Sequence, residues 1–297
     1  MSLSEVKLTD IQDVPAACSG YTWIQRRLRL ASVPLAVCLI LMVLLGALRI
    51  AAAQARSEPV KNIVLVHGAW VDGSGWKSVF EILVKHGYQV TIVQEPLTSF
   101  QEDVAATKRV LAELKGPCIL VGHSYGGSVI TEAGTDSHVV GLVYIAAHMP
   151  DAGESEGADG KKYPSDLNKS GAIQTTSDGF NYLNPSEFPE YFAADLPHAQ
   201  AEFEGRSQIP TAVGNFTAEI SNPAWRIKPS SMLVAAADRV INPELERWYA
   251  ARAHSYTVEV KGASHSVYES RPREVASLIE HAAQNSHYRL KPIRARG

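Results

Sequence analysis

The run Pro117-Cys118-Ile119-Leu120-Val121 leads straight into Gly122-His123-Ser124-Tyr125-Gly126-Gly127, an apolar strand followed by a G-x-S-x-G turn. Glycines two residues before and two after Ser124 allow a sharp reversal from strand to helix that a β-carbon would obstruct. The serine side chain is then held clear of the backbone. Residues 128–133 are expected to continue as a helix whose N-terminal N–H groups favour negative charge developing at the serine. This points to acyl transfer, provided the rest of the chain supplies an oxyanion loop upstream and then, in order, an acid and a histidine downstream.

All three are present. Lys61-Asn62-Ile63-Val64-Leu65-Val66 reads as a buried parallel strand and runs into His67-Gly68-Ala69-Trp70 and a small-residue loop, Asp72-Gly73-Ser74-Gly75-Trp76. The backbone N–H groups of Ala69 and Tyr125 are the expected oxyanion donors, and losing one such donor costs about 10²–10³ in rate. His67 is expected to stabilise the turn and to carry no proton-transfer role. Downstream, the strand 231–237 ends at Asp238, and the strand Tyr256-Thr257-Val258-Glu259-Val260 runs into Lys261-Gly262-Ala263-Ser264-His265. Open parallel sheets collect their active sites beyond such strand ends. Asp238 would hold the His265 tautomer while His265 takes the Ser124 proton. Asp151, at the end of the preceding strand 141–147, is the alternative acid.

On these residues the chain resembles the α/β-hydrolase superfamily over nearly everything from Lys61 to Ala283. His67-Gly68-Ala69-Trp70, Gly122-His123-Ser124-Tyr125-Gly126-Gly127, Ala237-Asp238-Arg239 and Gly262-Ala263-Ser264-His265 look like the small serine esterases related to plant methylesterases and hydroxynitrile lyases. The resemblance implies a three-layer α/β sandwich with a mainly parallel sheet and a helical cap insertion. Hydroxynitrile lyases of that branch carry a threonine in the oxyanion loop and a lysine after the catalytic histidine. The matching positions here are Gly68 and Ser266, which favours ester hydrolysis, and Ser124 excludes relatives that use an aspartate nucleophile.

A coarse pass adds a strand over 88–93, helices over 79–85, 101–114, 244–253 and 273–283, and a break in the alternation between 151 and 225. Aromatics recur in that break, at Phe180, Tyr182, Phe188, Tyr191, Phe192, Phe203 and Phe216. It reads as a cap over the catalytic face. Trp70, beside the oxyanion loop, and His148, just past a strand end, are candidate pocket residues. The remaining histidines share no spacing with acidic or cysteine ligands, so neither a metal nor a cofactor is expected.

Residues 30–48 are apolar apart from Ser32, with Arg26, Arg27 and Arg29 before them and Ala53-Gln54-Ala55 after them. Residues 1–55 are therefore expected to be a secretory signal peptide cut before Arg56, or an uncleaved membrane anchor, leaving 56–297 as one exported domain, periplasmic or secreted. Cys118 is then the single cysteine of the mature chain and reads as a small core hydrophobe. A formal net charge of −3 and the lack of a basic run before Arg289 argue against a nucleic-acid partner. A small-molecule ester is the expected partner. Two alternatives stay open: cyanohydrin or carbon–carbon bond cleavage on the same scaffold, and a non-catalytic ligand-binding protein that retains the fold.

Overall fold

The computed structural model describes residues 60–286, and the leader or anchor expected over residues 1–55 lies outside them. Among the described residues no helix is long and apolar enough to cross a membrane. In chain order the elements are β1 (Asn62–Val66), α1 (Lys77–Lys85), β2 (Gln89–Val93), α2 (Phe100–Ala112), β3 (Cys118–Ser124), α3 (Gly126–Ala133) and β4 (Val139–Ala147). The insertion follows: α4 (Glu156–Lys162), α5 (Asp166–Ser170), β5 (Ile173–Thr175), β6 (Phe180–Leu183), α6 (Phe188–Tyr191), α7 (His198–Arg206) and β7 (Thr211–Ala212). The main layers then resume with β8 (Ser230–Ala235), α8 (Pro243–Arg252), β9 (Tyr256–Val260), α9 (Val267–Ser270) and α10 (Pro272–Asn285).

Six strands form one sheet in the order β2-β1-β3-β4-β8-β9, every pair parallel. Alternate residues of a strand face opposite layers. Ile63, Leu65, Ile119 and Val121 pack with Val79 and Leu83 of α1 and Val275, Leu278 and Ile279 of α10. Val64, Val66 and Leu120 pack with Leu111 of α2, Val129 and Ile130 of α3 and Leu245 of α8. Each aliphatic side chain so buried contributes about 1.5–3 kcal/mol, which is what closes the three layers. Cys118 is a free, buried thiol in this core, and burial pushes its pKa up to about 12.

The chain leaves β1 for β2 on one side and returns to β3 on the other, so the loops at the carboxyl ends of β1 and β3 splay apart there. Such a switch point opens a crevice in a parallel sheet. Register aligns Val66 with Gly122, which lays the loop after β1 beside Ser124. The β3–β4 register also shifts between His123 and Ser124, opposite Ala146 at φ 43°.

Beside its helices the insertion carries a three-stranded antiparallel sheet, β5-β6-β7, which the sequence pass does not place. Its strands are two to four residues long, too short for an alternating pattern to emerge. The legible signal was Asp178-Gly179 between β5 and β6, a hairpin pair, with Gly179 at φ 88°.

Candidate active site

Ser124 is the last residue of β3 and sits at φ 54°, a left-handed conformation that costs a non-glycine residue about 1–3 kcal/mol unless its surroundings impose it. The neighbouring glycines make room for that turn. A β-carbon on Gly122 would lie 2.5 Å from the Gly126 carbonyl oxygen, and one on Gly126 would lie 2.4 Å from that of His67.

Asp238 follows the end of β8 and His265 follows β9, so the parallel sheet delivers both to the edge that carries Ser124. His265 Nδ1 lies 2.6 Å from Asp238 Oδ2 and its Nε2 lies 2.7 Å from Ser124 Oγ. Asp238 Oδ1 accepts the N–H groups of Val240 and Ile241, at 2.7 and 3.0 Å. The helix that follows, α8, is capped by Asn242, whose side chain accepts the Glu244 N–H. A carboxylate fixed at both oxygens sets the imidazole so that Nδ1 carries the proton and Nε2 is free to accept from the serine. The alternative acid, Asp151, does not reach this site: its Oδ2 is held by Arg226 at 2.6 Å.

His265 is braced by two neighbouring rings. His123 donates its Nε2 proton to the His265 carbonyl oxygen at 3.0 Å, since a carbonyl only accepts. Its ring packs 4.7 Å from that of His265, and burial holds its pKa well below the usual histidine range, so it stays neutral. Phe192 of the insertion meets His265 edge-on at 4.7 Å, and its carbonyl oxygen accepts the Ser266 N–H at 3.0 Å. The sequence marks Phe192 only as one of the recurring aromatics of the insertion, and nothing in the spacing of His123 singled it out.

Ala69 and Tyr125 line the same cavity as Ser124. His67 is buried behind them: its Nδ1 lies 2.9 Å from the Gly68 carbonyl oxygen, and its Nε2 accepts the Glu95 N–H at 2.9 Å. Burial lowers its pKa, and with both nitrogens occupied it stabilises the turn. The Tyr125 hydroxyl donates to Asp103 Oδ2 at 2.7 Å, which also accepts from Asn215 Nδ2 of the insertion at 2.9 Å. Asp103 Oδ1 takes the Leu97 N–H at 2.8 Å. One buried carboxylate thus ties the insertion to the residue after the nucleophile, a link that only the fold creates.

Trp70 sits at φ 67°, held by its N–H to Thr211 Oγ1 and its ring Nε1 to Asn181 Oδ1, at 3.2 and 3.0 Å. With Phe216, 5.8 Å away, it forms one wall of a cavity of about 500 Å³ that also reaches His148 and Glu156. That volume suits a small organic molecule. Phe203, by contrast, is 70 % exposed and plays no part in it. Among the described residues no group of three or more His, Cys, Asp or Glu side chains is placed to hold a metal ion.

Glu156 Oε2 accepts the Ser128 hydroxyl at 2.9 Å, and burial pushes the carboxyl's pKa up to about 8. The folded value exceeds the unfolded one, so the folded chain retains a proton that the unfolded chain loses. The stability this confers is complete below about pH 4.5 and is lost as pH rises through about 8, at about 1.4 kcal/mol per unit of difference. Thermal denaturation is therefore expected to give Glu156→Gln a Tm close to wild type near pH 5 and several degrees higher near pH 9. An offset that does not change with pH would contradict this assignment.

The chain matches a family model and several known proteins. Residues 63–278 match the family model described as the alpha/beta hydrolase family. Esterase PIR7B from Oryza sativa subsp. japonica is 24 % identical over 256 residues, covering 75 % of this chain and 96 % of that protein. Among solved structures, polyneuridine aldehyde esterase superposes with a TM-score of 0.66 at 20 % identity, covering 75 % of this chain and 99 % of the other. A pyrethroid hydrolase from Sphingobium faniae JZ-2 does so with a TM-score of 0.63 at 22 % identity, covering 75 % and 97 %.

Proposed function

This chain belongs to the alpha/beta hydrolase family, and on that premise we propose that it is a serine hydrolase that cleaves carboxylic esters of small molecules through an acyl-enzyme intermediate. The observation that carries the proposal is the unbroken hydrogen-bonded line from Asp238 through His265 to Ser124, ending in the cavity. In the first step Ser124 Oγ attacks the ester carbonyl carbon as His265 Nε2 takes its proton. The resulting oxyanion is met by the N–H groups of Ala69 and Tyr125. His265 returns the proton to the departing alkoxide, which leaves as alcohol. Water then attacks the acyl-serine, its proton going to Nε2 and onward to Ser124, and the free acid leaves. Asp238 stays ionised and stabilises the imidazolium in both halves.

Ester hydrolysis fits the site better than lyase chemistry. A β-carbon on Gly68 would come within 2.8 Å of Ser124 Cβ, so the threonine of the lyase pattern has no room. Ser266 is buried and brings no cation next to His265. The expected result with a fluorophosphonate probe is a single covalent adduct, located on Ser124 by peptide mass spectrometry, together with turnover of p-nitrophenyl butanoate. A folded chain that neither labels nor turns over would instead favour a ligand-binding role.

A further inference from the structure

Two neutral hydrogen-bonding groups line the cavity and have no step in the hydrolysis. His148 is seated against the nucleophile turn by its N–H, which donates to the Ser124 carbonyl oxygen at 3.2 Å. Its Nδ1 is sealed and without a hydrogen-bond partner, so Nε2 is the ring nitrogen that a bound molecule can reach. Burial, with a smaller contribution from His265, holds the ring neutral by lowering its pKa to about 3. A neutral imidazole has one N–H, and a buried N–H is orphaned far less readily than an acceptor lone pair. The proton therefore belongs on Nε2, as a donor facing the cavity.

Glu156 also lines the cavity. Its Oε2 is taken by Ser128, which leaves Oε1 to an occupant. Both groups face the same cavity, and the Tyr249 ring packs 6.3 Å from that of His148. Much of the remaining lining is apolar, with Trp70, Leu167, Ile173, Phe216, Ile241 and Leu245 prominent. Among the described residues no buried cation answers them. Lys161 is exposed at the edge, Lys162 is committed to Asp159 at 2.7 Å and Arg252 to Glu154 at 2.7 Å. A carboxylate drawn into this space would lose hydration without gaining a buried cation.

We propose that the cavity selects uncharged esters that carry a second oxygen acceptor, an ether or carbonyl oxygen set apart from the scissile group, held by His148 and Glu156. The proposal rests on the reading of Ser124 as an esterase nucleophile and names the substrate class that this site prefers.

Isosteric probes test it. In p-nitrophenyl 4-methoxybutanoate and p-nitrophenyl 3-ethoxypropanoate one oxygen replaces a methylene of p-nitrophenyl hexanoate. On the alcohol side, 2-methoxyethyl hexanoate is compared with butyl hexanoate. The ratio of kcat/KM for ether over alkyl ester is measured in wild type, His148→Phe and Glu156→Gln, and the ratio of Kd values is measured for the same pairs on Ser124→Ala, alone and combined with His148→Phe. For at least one pair the ratio should be roughly ten-fold greater in the presence of His148 than in its absence, the worth of one or two buried hydrogen bonds. It should survive in Glu156→Gln, which keeps a neutral donor and acceptor. Because each ratio is taken within one variant, partial unfolding cancels. A ratio unchanged by His148→Phe for every pair, in both turnover and binding, overturns the proposal. Absent turnover with the Kd ratio still dependent on His148 would uphold the selectivity and overturn the esterase reading.

Discussion

Ser124→Ala is expected to lower kcat for p-nitrophenyl butanoate by about 10⁵–10⁶ and to abolish fluorophosphonate labelling, leaving only the acceleration due to the oxyanion donors and binding. The substitution removes the single atom that can attack the carbonyl and changes little else. Ser124 is buried, its strained φ is imposed by the contacts around Gly122 and Gly126, and alanine occupies the same turn without its hydroxyl. Its hydrogen bond to His265 Nε2 is lost, and the cavity is open to water at that point. A circular dichroism spectrum matching wild type is expected alongside the loss. Retention of more than about one part in a hundred of the wild-type rate would mean that another group attacks, and the acyl-enzyme route would be abandoned.

The second large effect concerns the acid. Asp238→Asn should lower kcat by about 10⁴ with the fold intact. The amide oxygen can still accept from Val240 and Ile241, where Asp238 Oδ1 accepts now, so the asparagine NH₂ is turned toward His265 Nδ1. That nitrogen must then accept, which moves the imidazole proton to Nε2, where it points at Ser124 and blocks proton abstraction. Nearby, Glu246 is buried and lies close enough to Asp238 that burial and then the aspartate charge raise its pKa well above the carboxylate range. Steady-state kinetics over the pH range of activity checks the effect. A fall of less than ten-fold would show that the carboxylate at 2.6 Å from His265 is not what fixes its tautomer.

The meeting of Ser124, Asp238 and His265 was legible in the chain because each lies at or just beyond the carboxyl end of a strand, and parallel strands must place those ends at one edge. His265 and Asp238 are 27 residues apart in sequence and Ser124 lies 141 residues from His265, yet strand order and direction bring them together. The helices are legible for a similar reason: Val275, Leu278 and Ile279 form one face of α10 and are all buried. The insertion was legible only as an interruption. Its strands are too short to alternate, and its aromatics serve different ends, Phe192 against His265, Phe216 in the cavity wall and Phe203 in solvent.

His123, Asp103, His148 and Glu156 mark the boundary between what chain and fold decide. In the sequence His123 is a neighbour of the nucleophile and His148 a residue past a strand end. In the fold one bonds the His265 carbonyl and the other lines the cavity. Asp103 and Glu156 show nothing unusual along the chain, because a carboxyl acquires its proton affinity from the water taken away around it, and that depends on elements far off in sequence. The sequence by itself determined the parallel α/β layers, the tight turn at Ser124 and the order in which Ser124, Asp238 and His265 reach one edge of the sheet, since these follow from local sterics and strand direction. Only the tertiary structure decided the antiparallel sheet of the insertion, the bracing of His265 and the neutral polar groups in the cavity, because packing between distant segments sets their burial and their partners.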